Sequence, residues 1–199
     1  MSFSKETCLF VIRNAALIEK GLIEAVQQTV FTAMNAHLEK RLKALGGWKG
    51  KYELVTVDNE TAFAPVTWPE SQDGRYRACY KLTEAGDQNH YWLSNTLGVN
   101  GVKMCLQFWV HGGLGGRSKG EVGRKLLTVA SAADIKAARF VQGAEENTLN
   151  LPFVFDAEVL AGEYPTVDKA LAPLDTAIDK LLKVHPLLDA AVQELTAKR

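Results

Sequence analysis

Between about Ser4 and Leu45 the apolar residues Ile12, Ala16, Ile23, Val26, Val30, Met34, Leu38 and Leu42 recur mostly at steps of three or four, with no proline among them. That is the period of an amphipathic helix, and Gly46-Gly47 supplies its stop. Unbroken, such a helix would be about 63 Å long, against roughly 42 Å for the diameter of a compact chain of this size. It must therefore break, protrude or pair. Gly21 is the expected break, since glycine costs a helix interior about 1 kcal/mol relative to alanine. The alternative is a homodimer through the N-terminal helix, with the stripe Val26, Val30, Met34 and Leu38 as its interface.

Lys51 to Val57 read as a first strand, and the segment through Pro65, Pro69 and Gly74 as a long loop or poor edge strand. Asn100-Gly101 suits a two-residue type I′ hairpin turn. A turn there pairs Leu97 with Met104, Leu93 with Phe108 and Tyr91 with Val110 on an apolar face. The opposite face pairs His90 with His111, Trp92 with Trp109, Ser94 with Gln107 and Thr96 with Cys105. A second turn at Gly86-Asp87 sets Leu82 against Tyr91 and Tyr80 against Leu93. It adds Arg77, Cys79, Lys81 and Thr83 to the second face, with Lys81 opposite Trp92.

Beyond His111 the stretch Gly112 to Gly123 reads as a glycine-rich basic loop, followed by helical segments, one starting near Ser131 with Asp134 as capping partner. Leu151 to Leu160 resembles a strand, and Thr166 is placed to cap a helix that Pro173 and Pro186 divide. No composition break interrupts residues 1–199, which read as a single α+β domain. The expected fold is an antiparallel meander of three to five strands, with a long N-terminal helix and C-terminal helices packed on it.

Composition narrows the function classes. The chain carries 23 basic and 23 acidic residues, so it has no overall field to draw in nucleic acid, and any basic patch must be local. The apolar run Cys8 to Ile12 is too short for a signal-peptide core or a membrane span, which points to a cytoplasmic protein without membrane contact. Cys8, Cys79 and Cys105 are odd in number and lack zinc-site spacing, so reduced thiols are expected.

The richest chemistry lies on the second sheet face. Arg77, Lys81, His90, Trp92, Gln107, Trp109 and His111 gather there, joined at one end by Arg117 and Lys119 of the glycine-rich loop. Lysine beside tryptophan is a cation–π arrangement, aromatic rings on a sheet stack bases, and basic side chains hold phosphates. These residues are the candidate ligand-binding set for a non-catalytic protein that binds nucleic acid or another anionic partner. The alternative is that C-terminal helices cover this face and the tryptophans belong to the core.

The glycine-rich loop is not a nucleotide-binding P-loop, because Ser118 precedes Lys119 instead of following it. No cofactor is implied, and His90 with His111 lacks the third ligand of a zinc site, so no metal site is assigned. No local motif pairs two acids or sets a base beside a nucleophile. An enzymatic alternative is a metal-dependent phosphodiesterase using Glu53, Asp58 and Glu60 with His90 or His111. Asp58 and Lys81 on a helix-then-sheet layout resemble the PD-(D/E)xK nucleases in layout only. Cys79 stands where that motif carries Glu or Gln, and no family is assigned.

Overall fold

Six antiparallel strands form the sheet: β1 (Trp48–Tyr52), β2 (Thr61–Pro65), β3 (Ala78–Ala85), β4 (Lys103–Val110), β5 (Val141–Gln142) and β6 (Thr148–Phe153), in the order β1-β2-β3-β4-β6-β5. The computed structural model describes residues 5–15, 18, 23–55, 59–86, 92–99 and 101–197. Around the sheet lie helices α1 (Lys5–Arg13), α2 (Glu24–Leu45), α3 (Trp92–Thr96), α4 (Lys119–Ser131), α5 (Ala133–Ala137), α6 (Ala157–Glu163) and α7 (Ala172–Thr196). The mixed α and β class, the long helix near the N-terminus and the C-terminal helix on an antiparallel sheet all match the sequence reading, but the sheet has six strands instead of three to five and is a meander only from β1 to β4, since β6 lies between β4 and β5. Among the described residues no helix is long and apolar enough to cross a membrane.

Alternation along β3 and β4 explains which face is buried. Tyr80, Leu82, Met104, Leu106, Phe108 and Val110 are buried, and Leu149, Leu151 and Phe153 of β6 continue the same face through their pairing with Phe108, Leu106 and Met104. Val30, Phe31, Met34, Leu38 and Leu42 of α2 belong to the same core, as do Leu181, Val184, Leu188 and Val192 of α7. The two helices are tied by Asp175, which takes His37 Nε2 at 2.8 Å and Arg41 at 2.5 Å, and by Asp179, which takes Arg41 at 2.6 Å. This overturns the dimer stripe: Val30, Met34 and Leu38 are spent on the chain's own core. The proposed break at Gly21 lies outside the described residues; α1 ends at Arg13 and α2 begins at Glu24. Gly46 (φ 67°) and Gly47 (φ 71°) end α2 as expected.

The Asn100-Gly101 hairpin does not form. Trp92–Thr96 is helical, with Leu97 N–H donating to the Leu93 carbonyl and the Thr96 hydroxyl to the Trp92 carbonyl, so the described residues 92–99 do not form the expected strand before the turn. Trp92, Asn95 and Thr96 are its buried positions, a helical spacing that the tight-turn signal masked. β3 pairs directly with β4 instead: Cys79 lies opposite Trp109, Lys81 opposite Gln107 and Thr83 opposite Cys105. Trp92 is thus opposite neither Trp109 nor Lys81. His90, Tyr91 and Asn100 lie outside the described residues. Odd-numbered residues still meet odd-numbered ones, so Cys79, Lys81 and Thr83 share one face with Cys105, Gln107 and Trp109, as the alternation implied.

Four further expectations change. β2 is an interior strand buried at all five positions, not a loop or edge, and a strand buried on both faces shows no alternation to read. The expected strand from Leu151 stops at Phe153, because Asp156 accepts the N–H groups of Glu158 and Val159 and starts α6. The capping box sits at Ser118 and Glu121, starting α4, rather than at Ser131. Helix α7 is not divided: Pro173 occupies its first turn, and Pro186 lies exposed within a helix that Val184 and Leu188 hold to the core.

Gly115 in the 3₁₀ turn Leu114–Gly116 has φ +60°, and a methyl group there would collide with the Leu195 carbonyl at the end of α7. Gly115→Ala is expected to cost at least about 1–3 kcal/mol from the left-handed backbone alone, before the collision is counted. Chemical denaturation checks this, and an unchanged midpoint would contradict the tight docking of this turn on α7.

Candidate anion-binding cleft

Arg77 precedes β3 and His111 follows β4, so the antiparallel pairing brings them to one end of the sheet, with His111 N–H donating to the Arg77 carbonyl at 2.8 Å. The chain then folds back on both. Arg77 Nη2 donates to the Gly113 carbonyl at 3.0 Å, and Gly113 N–H donates to His111 Nδ1 at 2.9 Å. With Nδ1 accepting, the proton of the neutral imidazole sits on Nε2, where it can donate outward. Burial and then the neighbouring Arg77 charge push the His111 pKa below its ordinary 6.5, favouring this neutral form at pH 7.

One pairing row crosses five strands on this face: Lys51 on β1, Ala62 on β2, Lys81 on β3, Gln107 on β4 and Asn150 on β6. The Lys81 ammonium lies 5.0 Å from the centroid of the Trp109 ring and 3.5 Å from Glu60. A backbone bridge between Glu70 and Tyr76 turns the preceding segment back on itself through Gly74 (φ 76°), which brings Arg75 and Tyr76 to the same side.

Together these elements enclose a cleft of about 630 Å³ lined by Lys51, Glu60, Ser71, Asp73, Gly74, Arg75, Tyr76, Arg77, Cys79, Lys81, Trp109 and His111. Four permanent cations face two carboxylates there. Arg75 is paired with Asp73 at 2.9 Å and Lys51 with Glu53 at 3.0 Å, while among the described residues no carboxylate pairs with Arg77. A hydrogen bond from Ser71, followed by the Arg75 charge, holds the Asp73 carboxyl below its ordinary range. Burial pushes the Cys79 thiol up to about 12, against the opposing pull of Lys81, so it is a poor source of thiolate.

An excess of cations around a half-buried indole suits an anion with an unsaturated or aromatic part. Comparison with protein-family models, with curated proteins and with solved structures gives no match.

Two smaller hollows extend the cleft along the sheet. Glu60, Lys81 and Trp109 also line one of about 260 Å³, with Thr83, Gln107, Trp92 and Glu145. Thr83, Gln107, Thr148 and Asn150 line a third, of about 360 Å³.

Of the residues expected from sequence, Arg77, Lys81, Trp109 and His111 line the cleft and Gln107 lines the hollows beside it. Trp92 is 9% exposed in the core, edge-on to Phe31 at 5.9 Å, and only borders the second hollow. His90 lies outside the described residues. The glycine-rich loop does not deliver its cations to the cleft. Arg117 reaches the Ala197 carbonyl at 3.5 Å beyond the end of α7, and Lys119, in the first turn of α4, meets Glu145 at 3.2 Å.

Sequence reasoning missed Lys51, Arg75 and Tyr76. The segment Arg75-Tyr76-Arg77 carried the signal, since it alternates cation and ring just before a strand. Among the described residues no group of three or more His, Cys, Asp or Glu is placed to hold a metal. Glu53 and Glu60 each meet a lysine, at 3.0 and 3.5 Å, and Asp58 lies outside the described residues.

Proposed function

We propose that this is a non-catalytic binding protein whose cleft holds an anionic, phosphate-bearing partner such as nucleic acid. The observation that carries this reading is the convergence of Arg75, Arg77 and Lys81 on one cleft, with Lys81 over the half-buried Trp109 ring, on a chain with no overall charge. On such a chain a concentration of cations is local. Arg77 contributes a guanidinium fixed by the Gly113 carbonyl, and a pre-positioned fork gives up little freedom on meeting a phosphate. His111 adds a neutral N–H donor without adding charge.

Calorimetric titration with tripolyphosphate and with a short single-stranded oligonucleotide, at low and high salt, tests the proposal. Binding at low salt that weakens steeply as salt rises is expected, because phosphate recognition releases counterions. Absence of binding by either compound at low salt, in protein with an intact circular dichroism spectrum, would overturn it.

A further inference from the structure

We infer that the cleft and the hollows beside it form one composite site for a single nucleoside phosphate. Its phosphate sits at Arg77, Lys81 and His111, its base lies against Trp109, and the polar edge of the base reaches Gln107 and Asn150. This inference rests on the anion-binding reading above and goes further by assigning the uncharged part of the ligand.

Three observations support it. Trp109 lines both the basic cleft and the second hollow, so its indole belongs to the wall they share. A ligand gripped by its phosphate on the basic side must pass this ring to reach the other. Aromatic faces of this kind hold bases by stacking, which tolerates any base.

The far side also changes in character. It carries Thr83, Gln107, Thr148 and Asn150 beside the carboxylates of Glu84 and Glu145 and no cation, a set that suits the uncharged, hydrogen-bonding part of a ligand and not its phosphate. Gln107 Nε2 donates to Asn150 Oδ1 at 3.0 Å across the β4–β6 pair. That bond leaves the Gln107 carbonyl oxygen and the Asn150 amide nitrogen with no hydrogen bond to a described residue. An acceptor beside a donor is the pattern by which amide side chains meet base edges.

The spacing fits as well. His111, Trp109 and Gln107 alternate along one strand direction, so His111 and Gln107 are about 13 Å apart at 3.3 Å per residue, with the ring midway; Lys81 pairs with Gln107 and its side chain leans to the ring, where the ammonium lies 5.0 Å from the centroid. The main cleft, at about 630 Å³, falls within the range of small-ligand sites. Inorganic phosphate would leave the ring and the amides unused.

The test compares inorganic phosphate, tripolyphosphate, the four nucleoside monophosphates, and a short single-stranded oligonucleotide with and without a terminal phosphate, by calorimetry and tryptophan fluorescence. At least one nucleoside monophosphate is expected to bind about tenfold or more tightly than inorganic phosphate and to quench fluorescence. Trp109→Ala is expected to lower nucleotide affinity about tenfold and inorganic phosphate affinity by less. Gln107→Leu is expected to flatten the preference among the four bases.

If tripolyphosphate binds but no nucleotide binds more tightly than inorganic phosphate, the composite site is wrong while the anion-binding reading stands. If nothing binds, both fail. The source of the nucleotide follows from the last comparison. Tighter binding of the terminally phosphorylated oligonucleotide than of any monophosphate identifies a strand end, and the reverse order identifies a free nucleotide. Both orders carry the inferred chemistry. Circular dichroism of each variant separates lost binding from lost folding, and Trp109→Phe, which keeps a ring, is expected to retain most of the affinity that Trp109→Ala loses.

Discussion

Trp68→Ala is expected to lower the unfolding free energy by about 3–5 kcal/mol, the usual cost of deleting a large buried aromatic ring. Trp68 is 2% exposed and sits within 5.3 to 5.6 Å of Tyr80, Phe108 and His185, ring centre to ring centre. It follows β2 and touches both central strands and α7, so its removal opens a cavity where the sheet meets the helix. The loss also has a polar part. Trp68 Nε1 donates to Asp189 Oδ1 at 2.6 Å, and beside it the Tyr80 hydroxyl bonds His185 Nδ1 at 2.8 Å. Burial, opposed by Asp189, lowers the His185 pKa, so the ring is held neutral within this cluster. Against a total stability of about 5–15 kcal/mol for a typical domain, the variant would be marginally folded. Urea denaturation checks the value, and a change below about 1 kcal/mol would show that Trp68 is not a keystone of the core.

Lys81→Glu carries the largest expected effect on binding. The lysine occupies the middle of the pairing row from Lys51 to Asn150, lies over the Trp109 ring, and lines both the cleft and the hollow beside it. A hydrogen bond to a charged group is worth about 1.5–3 kcal/mol, so removing the ammonium alone should weaken anion binding roughly 10- to 150-fold. Reversing its sign adds repulsion. Lys81→Met separates the two contributions: it keeps the aliphatic stem, should show the smaller loss, and should reduce the salt dependence by about one counterion. The side chain is half-buried and its contact with Glu60 is a long, surface one, so both variants should unfold close to the wild-type temperature. Wild-type affinity in Lys81→Glu would remove the cleft from consideration.

The sheet faces were legible in the sequence and the strand partners were not, for separate reasons. Alternation of Tyr80 and Leu82 with Cys79 and Lys81, and of Leu106 and Phe108 with Gln107 and Trp109, is local and decides which side meets the core. That is why Lys81, Gln107 and Trp109 share a face even though the expected hairpin is wrong. Partner choice is not local. Asn100-Gly101 has the chemistry of a tight turn, but Trp92–Thr96 buries Trp92 and Thr96 at helical spacing, and β3 pairs with β4, beyond this helix in the chain. β2 was opaque because all five of its residues are buried. The loop cations misled because the glycines around Ser118 hid a helix start, which turns Lys119 toward Glu145 and leaves Arg117 at the end of α7. Arg75 reached the cleft through a backbone bridge between Glu70 and Tyr76 that no periodicity announces.

The most direct test of the cleft is tryptophan fluorescence of the wild type and of Trp109→Phe, each titrated with a short single-stranded oligonucleotide at low and high salt. Trp68 and Trp92 are buried and Trp48 packs against Phe63, Tyr80 and His185, so Trp109 is the ring placed to report a ligand in the cleft. Quenching of the wild type at low salt, its disappearance at high salt, and little quenching of Trp109→Phe at either are expected. Equal quenching of both proteins, or none of the wild type at low salt, would contradict binding in the cleft.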